Sequence, residues 1–196
     1  MTTPLPDSAL DQLFRAARTA HGFRPEPIPD ATLHALYDLL KWAPTAYNMQ
    51  PARFVFVRSP EAKERLKKGL MAGNIPQTME APVTVVVAYD TRFYEHLPEQ
   101  FPAMDVKGIF EGNPTLSREA GFRNGSLQGA YLVMAARSLG LDCGPMSGFD
   151  PAVVDAEFFP DGRFRSNFLI NLGVADPAKY YPRGPRLAFE AAALIL

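Results

Sequence analysis

Apolar and polar positions follow two periods along this 196-residue chain. Between Ser8 and His21-Gly22, Leu10, Leu13, Phe14 and Ala17 fall at i, i+3, i+4 and i+7, the spacing of one helical face. Ser8 is the predicted N-cap and His21-Gly22 the stop. A second helix is predicted from Asp30, its cap, with Leu33, Leu36, Tyr37 and Leu40 on the buried face. It must end before Pro44, because the residue preceding a proline resists the helical region. Residues 53–58 form a short β-rich run between Pro51 and Pro60. Ser59 as cap and Pro60 at the first position open a third helix. Its 63–68 run carries both signs of charge and reads as a solvated face. The stretch Pro82-Val-Thr-Val-Val-Val-Ala-Tyr89 is continuously apolar and β-branched, which marks a central strand.

Residues 90–115 show no sustained period and contain Pro98, Pro102 and Pro114. A stretch of that length inside a compact domain suggests a lid, here with a helical turn around 93–97. The longest helix is predicted over 117–139, with Gly140 just past its C-cap. Asp150 caps a short helix ending at Phe159-Pro160, Asp161-Gly162 is a turn, and Phe168-Leu-Ile-Asn-Leu-Gly173 is another buried strand. Helices first, then strands alternating with helices, indicate an α+β class with a mixed central sheet flanked by helices. No linker or repeat divides residues 1–196, which are read as one domain. Within the long helix, Gly121, Gly125 and Gly129 share a stripe. Glycine there costs about 1 kcal/mol relative to alanine, so the stripe marks a close approach, by a partner helix or within the chain. The apolar end, Ala191-Ala-Ala-Leu-Ile-Leu196, would be an exposed patch if free. The 180–196 segment therefore packs on a partner or on its own core.

Charge is nearly balanced, with 20 basic and 21 acidic residues. That leaves no electrostatic footprint for nucleic acid or an acidic membrane. No apolar run approaches the roughly 18 residues of a membrane span. The single cysteine, Cys143, excludes an internal disulfide and a cysteine-based zinc site. It reads as a small buried side chain. The lone thiol and the absence of a signal-peptide pattern point to a cytoplasmic protein. Nineteen prolines, well spread, mark turns and stiff loops. His21, His34 and His96 lack metal-ligand spacing, so no metal site is expected, and His34 belongs to the polar side of its helix. Neither GxGxxG, GxxxxGK[ST] nor GxSxG is present, which leaves the common nucleotide cradles and the serine-hydrolase elbow unsupported.

Three segments carry chemistry. Ala17-Arg-Thr-Ala-His-Gly-Phe23 puts a cation, a hydroxyl and an imidazole at a helix end. Ala43-Pro-Thr-Ala-Tyr-Asn-Met-Gln-Pro51 holds polar side chains between two prolines, so Thr45 and Asn48 sit in a stiff turn. In Gly144-Pro-Met-Ser-Gly-Phe-Asp150, Gly148 lets backbone approach a flat ligand closely. Together these resemble the nitroreductase family of FMN-dependent oxidoreductases. The resemblance also takes in Asn74, Ala81-Pro82, Leu139-Gly-Leu141 and Pro185-Arg-Leu-Ala-Phe-Glu190, and so covers nearly the whole chain. Lys41-Trp-Ala-Pro-Thr-Ala46, Phe122-Arg-Asn124 and the 144–150 segment look most like the malonic semialdehyde reductase branch, found in pyrimidine degradation.

The resemblance implies a nitroreductase-like, intertwined homodimer with FMN sites at the subunit interface and a C-terminal segment wrapping the partner. It implies two hydride half-reactions: NADH or NADPH reduces flavin N5, leaves, and a small-molecule electron acceptor takes its place. By position, Arg18, Thr19 and His21 would hold the FMN phosphate and ribityl chain, with Arg183 and Arg186 adding cations. Asn74 and Gln77 match contacts to the polar edge of the ring. Pro145, Met146, Ser147 and Gly148 match the segment along it, with the Ser147 N–H facing N5. Pro44, Thr45, Ala46, Asn48 and Asn124 match positions reaching the flavin from the other subunit. There are departures: Ala17 stands where the family usually has a first arginine, Thr19 where it has serine, and His21 replaces a third basic residue. Ala52-Arg53 also replaces the usual aromatic after Gln50-Pro51. Expected functions are reduction of malonic semialdehyde to 3-hydroxypropionate, broad nitro or quinone reduction, or flavin binding without turnover. A carboxylate substrate would need a cation, and Arg92, Lys107, Arg118 and Arg123 are near the lid. Phe93, Tyr94, Phe101 and Phe110 are there either to stack on a flat acceptor or to pack.

Overall fold

The computed structural model describes residues 3–196. Helix α1 (Asp7–Leu10) continues as one wider turn over Asp11–Arg15. Next come α2 (Asp30–Leu40), strand β1 (Ala52–Val57), α3 (Pro60–Lys67) and α4 (Ile75–Glu80). Strand β2 (Val83–Asp90) precedes α5 (Leu97–Gln100), α6 (Lys107–Glu111) and the long α7 (Pro114–Ser138). The chain ends with β3 (Asp142–Met146), α8 (Pro151–Phe158), β4 (Phe164–Gly173) and a short α9 (Phe189–Ala192).

The four strands form one sheet in the order β1-β2-β4-β3, every pair antiparallel. The parallel element of the mixed pairing is confined to an isolated bridge, Thr19 to Cys143, beside β3. Every residue of β2 is buried because the sheet is covered on both faces. Val83, Val85 and Val87 point to the layer of α2 and α7, among Leu36, Leu40, Leu132 and Ala136. Val86 and Ala88 point the other way, to Leu66, Phe149, Val154 and Phe159. Alternation with period two thus serves two cores, which is why the sequence reads as one apolar run.

Several local expectations are corrected. The first helix buries nothing, and Phe14 is exposed, because regular α-helix spans only Asp7–Leu10 before the wider turn and Pro6 rather than Ser8 precedes it. Asp30 does not cap α2; its carboxylate pairs with Arg58 and Pro29 holds the cap position. Tyr37 stays half exposed. Lys63 is not on a solvated face: it is 4% exposed and fully bonded. The 90–115 stretch contains two short helices and a 3-10 turn at Phe93–His96, with Phe93, Leu97, Val106 and Phe110 buried around Met49. Phe93 is wholly packed, whereas Phe110 and the half-buried Tyr94 border a surface cavity with Pro114 and Arg118. Ser59 and Asp150 do cap α3 and α8, and Gly140 takes the left-handed φ of 78° that ends α7.

The glycine stripe has an intramolecular cause. A Cβ at Gly121 would lie 2.9 Å from the Tyr89 ring, and one at Gly129 would lie 2.3 Å from the Phe168 ring. The glycines let α7 settle on the chain's own sheet, so the stripe is no sign of a partner helix.

Candidate functional site

The residues at and just past the end of the first helix and the 181–186 loop build a cationic cleft. Its volume is about 480 Å³, and Arg18, Thr19 and His21 line it with Arg137, Tyr181, Arg183 and Arg186. Arg18 donates to the Tyr181 carbonyl and lies 5.5 Å above the Tyr180 ring. Arg183 donates to Ala17 O at 3.0 Å, Arg186 to Gly184 O at 2.9 Å and Arg137 to Leu13 O at 2.8 Å. Each of these bonds goes to a neutral carbonyl, so the guanidinium charges are not neutralised by them. Arg15, by contrast, is taken up by Asp7 and Asp11.

A hydrogen-bonded wall continues from this cleft. His21 packs 4.4 Å from the Tyr181 ring, and its Nδ1 lies 3.3 Å from Gln77 Oε1. Gln77 Nε2 donates to Asn74 Oδ1 at 2.8 Å, and Asn74 Nδ2 donates to Gly148 O at 2.8 Å. Gln77 and Thr78 both point donors at Met146 Sδ, at 3.8 and 3.7 Å. A Cβ at Gly148 would lie 2.4 Å from Asn74 Nδ2, so this close approach requires glycine. The Ser147 and Gly148 N–H groups donate to no described backbone acceptor, and Pro145 and Ser147 are exposed. The edge of β3 therefore offers free donors beside a cationic cleft.

The second cluster is elsewhere. Thr45 Oγ1 accepts from Gln50 N at 3.2 Å, and the buried Asn124 on α7 accepts from Ala46 N at 2.9 Å. Asn48 Nδ2 donates to Gln100 O at 3.1 Å. Tyr47, Asn48 and Gln50 all have positive φ, of 50°, 49° and 38°. Such backbone costs of order 1 kcal/mol or more per residue and is kept only where surroundings enforce it. Pro44 and Ala46 are exposed. This turn feeds β1, one edge of the sheet, whereas Pro145, Met146, Ser147 and Gly148 lie at β3, the opposite edge. Within one chain, the two clusters are not brought together.

A sequence model of the nitroreductase family matches residues 15–173, most of the chain. The chain belongs to the nitroreductase family. Its relatives include a Rhodopseudomonas palustris protein named "Putative NADH dehydrogenase/NAD(P)H nitroreductase", 58% identical over 196 residues and covering all of both chains. A Burkholderia lata relative with the same type of name is 58% identical over 193 residues, 98% of this chain and 99% of that one. Among solved structures, the Bacillus subtilis ydfN protein superposes with a TM-score of 0.88 at 22% identity, covering 97% of this chain and all of that one. An Exiguobacterium sibiricum protein solved in complex with FMN gives 0.86 at 20% identity, with full coverage of both. These likenesses establish the nitroreductase fold.

Three groups near the cleft escape a reading of the sequence. Arg137 enters from the last turn of α7, where it looks like an ordinary helix-end cation. Thr78 and Asn171 are fully buried polar residues behind Met146. Asn171 did leave a trace, as the polar residue inside an apolar strand. Of the cations near the lid, Arg92 and Lys107 are engaged by Glu95 and Glu111.

Proposed function

We propose that this nitroreductase-family chain is an FMN-dependent NAD(P)H oxidoreductase, working as a homodimer, that reduces malonic semialdehyde to 3-hydroxypropionate. The cleft of carbonyl-bonded arginines beside the Asn74–Gln77 pair carries the flavin part of this reading. Arg18, Arg183 and Arg186 offer planar forks that suit a phosphate monoester. Thr19 and His21 would meet the ribityl hydroxyls. The Asn74 and Gln77 amides and the free Ser147 and Gly148 N–H groups supply donors for the polar edge of a flat ring, with Ser147 N–H facing N5. FMN, when bound, supplies hydride transfer between nicotinamide and acceptor. The FMN in the Exiguobacterium protein and the NAD(P)H in the Rhodopseudomonas protein's name support the assignment.

The dimer is supported by two observations. Pro44, Thr45, Ala46, Asn48 and Asn124 lie at the wrong edge of the sheet to meet Ser147 in the same chain, and a second copy would bring them there. The C-terminal tail is uncovered, with Leu194 78% and Ile195 82% exposed. For the acceptor, Arg118 and Arg123 are exposed on α7 and are the cations suited to a substrate carboxylate. The relatives' names favour a second reading, a broad nitro or quinone reductase using the same site.

The test is the flavin spectrum of the purified protein, followed by anaerobic mixing with NADH or NADPH and then an acceptor. Bleaching of a yellow protein and faster reoxidation by malonic semialdehyde than by a nitroaromatic is expected. The reverse order would favour the broad reductase. A yellow protein that never bleaches would mean flavin binding without turnover, and a colourless one that cannot be reconstituted would sink the cofactor assignment.

A further inference from the structure

Lys63 takes no part in the cofactor contacts above, yet it is built into the wall behind them. Its Nζ donates to Thr78 O at 2.7 Å, Ala81 O at 3.0 Å and Thr84 Oγ1 at 2.7 Å. Three acceptors match the three donors of an ammonium, and every one is neutral. Burying a cation without a counter-charge is costly, and burial pushes its pKa down to about 8, so it remains charged at neutral pH. The Thr78 and Ala81 carbonyls belong to the C-terminal end of α4, where a cation also meets the helix dipole favourably.

The bonds then run on towards the ring pocket. Thr84 Oγ1 donates to Asn171 Oδ1 at 2.7 Å, and Asn171 Nδ2 donates to Thr78 Oγ1 at 3.3 Å. Thr78 Oγ1 points at Met146 Sδ, which Gln77 also approaches, and Gln77 holds Asn74 against Gly148. One unbroken chain of polar contacts thus links the buried ammonium to α4 and to the 146–148 segment. These are the two elements that would flank the flavin.

We propose that Lys63 is a positioning residue of the flavin site: its ammonium locks α4 against the 146–148 segment and favours the added negative charge of the reduced cofactor. This rests on the FMN assignment above. In a low-dielectric interior, shielded from salt, an unpaired cation acts over a longer range than a surface one.

The experiment uses the full chain reconstituted with FMN, reading the FMN dissociation constant and the midpoint potential. Lys63→Met is expected to weaken FMN binding about tenfold or more. It should also cut the reduced-to-oxidised ratio at fixed potential about tenfold, a fall of about 30 mV for a two-electron couple. Lys63→Arg, which keeps the charge, should restore the potential. If Lys63→Met does not fold, Thr84→Val decides: it keeps the lysine but removes one of its three acceptors together with the bond to Asn171, and should loosen FMN while Thr84→Ser restores it. In FMN-free protein, amide exchange over 77–81 should quicken in Lys63→Met and Thr84→Val. Unchanged FMN affinity and potential in folded variants would overturn the proposal. A wild type that binds no FMN would instead remove the functional assignment, and unchanged exchange over 77–81 would then overturn the positioning role by itself.

Discussion

At the scale of single residues, Lys63 links stability to pH with a sign that can be worked out. Its pKa falls from an ordinary 10.5 to about 8 in the folded chain, through burial. Between those values the unfolded chain binds more protons than the folded one, so stability rises with pH. The contribution is absent below about 8 and complete above 10.5, and amounts to about 3 kcal/mol. Cys143 acts in the opposite sense at higher pH, since burial pushes its thiol from 9.0 up to about 12. Lys63→Met retains Cys143, so comparing denaturant unfolding of the two proteins isolates the lysine. The wild type should gain on the variant from pH 8 to 10; parallel curves would contradict a buried charge. The cleft arginines make a second prediction. Arg18→Ala with Arg186→Ala should weaken FMN retention by about 2 kcal/mol or more, from lost charge-assisted bonds, measured by cofactor release on dilution. Arg18 and Arg186 were legible in the sequence because they fall in recognisable segments. Lys63 was not, because its neighbours are charged and its acceptors lie 15, 18 and 21 positions away. No local pattern encodes such a contact.

At the scale of elements, α7 sets two effects against each other. Gly129→Ala would gain about 1 kcal/mol of helix propensity. It would also press a methyl group to within 2.3 Å of the Phe168 ring, sandwiched between helix and sheet. Overpacking of that kind costs about 1–3 kcal/mol, so the net change should be destabilising, read as a lower urea midpoint. A stabilised variant would mean that Phe168 swings aside. The stripe was visible in the sequence, but not the surface it faces, because helical period identifies a face and not its partner. Strands β2 and β4 were legible from their apolar runs, and α3 and α8 from their caps. The first helix misled because its regular part is short and widens at Asp11, so the i, i+3, i+4, i+7 spacing does not stay on one face and Phe14 is left outside. Residues 90–115 misled because their helices are four or five residues long, shorter than the window in which a period can be recognised.

At the scale of the whole molecule, a good deal of apolar surface has no cover within the chain. Trp42, Phe122, Leu127 and Tyr131 are exposed on α7 and beside α2, and Leu187, Leu194 and Ile195 along the tail. Patches of this kind are uncommon on monomers. Deleting residues 187–196 should therefore shift the protein towards monomer and lower its FMN retention, as sedimentation and flavin content would report. An unchanged dimer would assign the tail another role. The sequence already suggested that the tail needed cover; the sheet order adds that the 44–48 turn and the 145–148 segment occupy opposite edges. In the proposed homodimer that order has a genetic consequence. A subunit with a ruined arginine cleft and a subunit with a ruined 44–48 turn would each be inactive alone. Mixed together, each heterodimer would pair the two intact halves at one of its two sites and the two damaged halves at the other. Random assortment would return about a quarter of full activity, so two null alleles would complement each other.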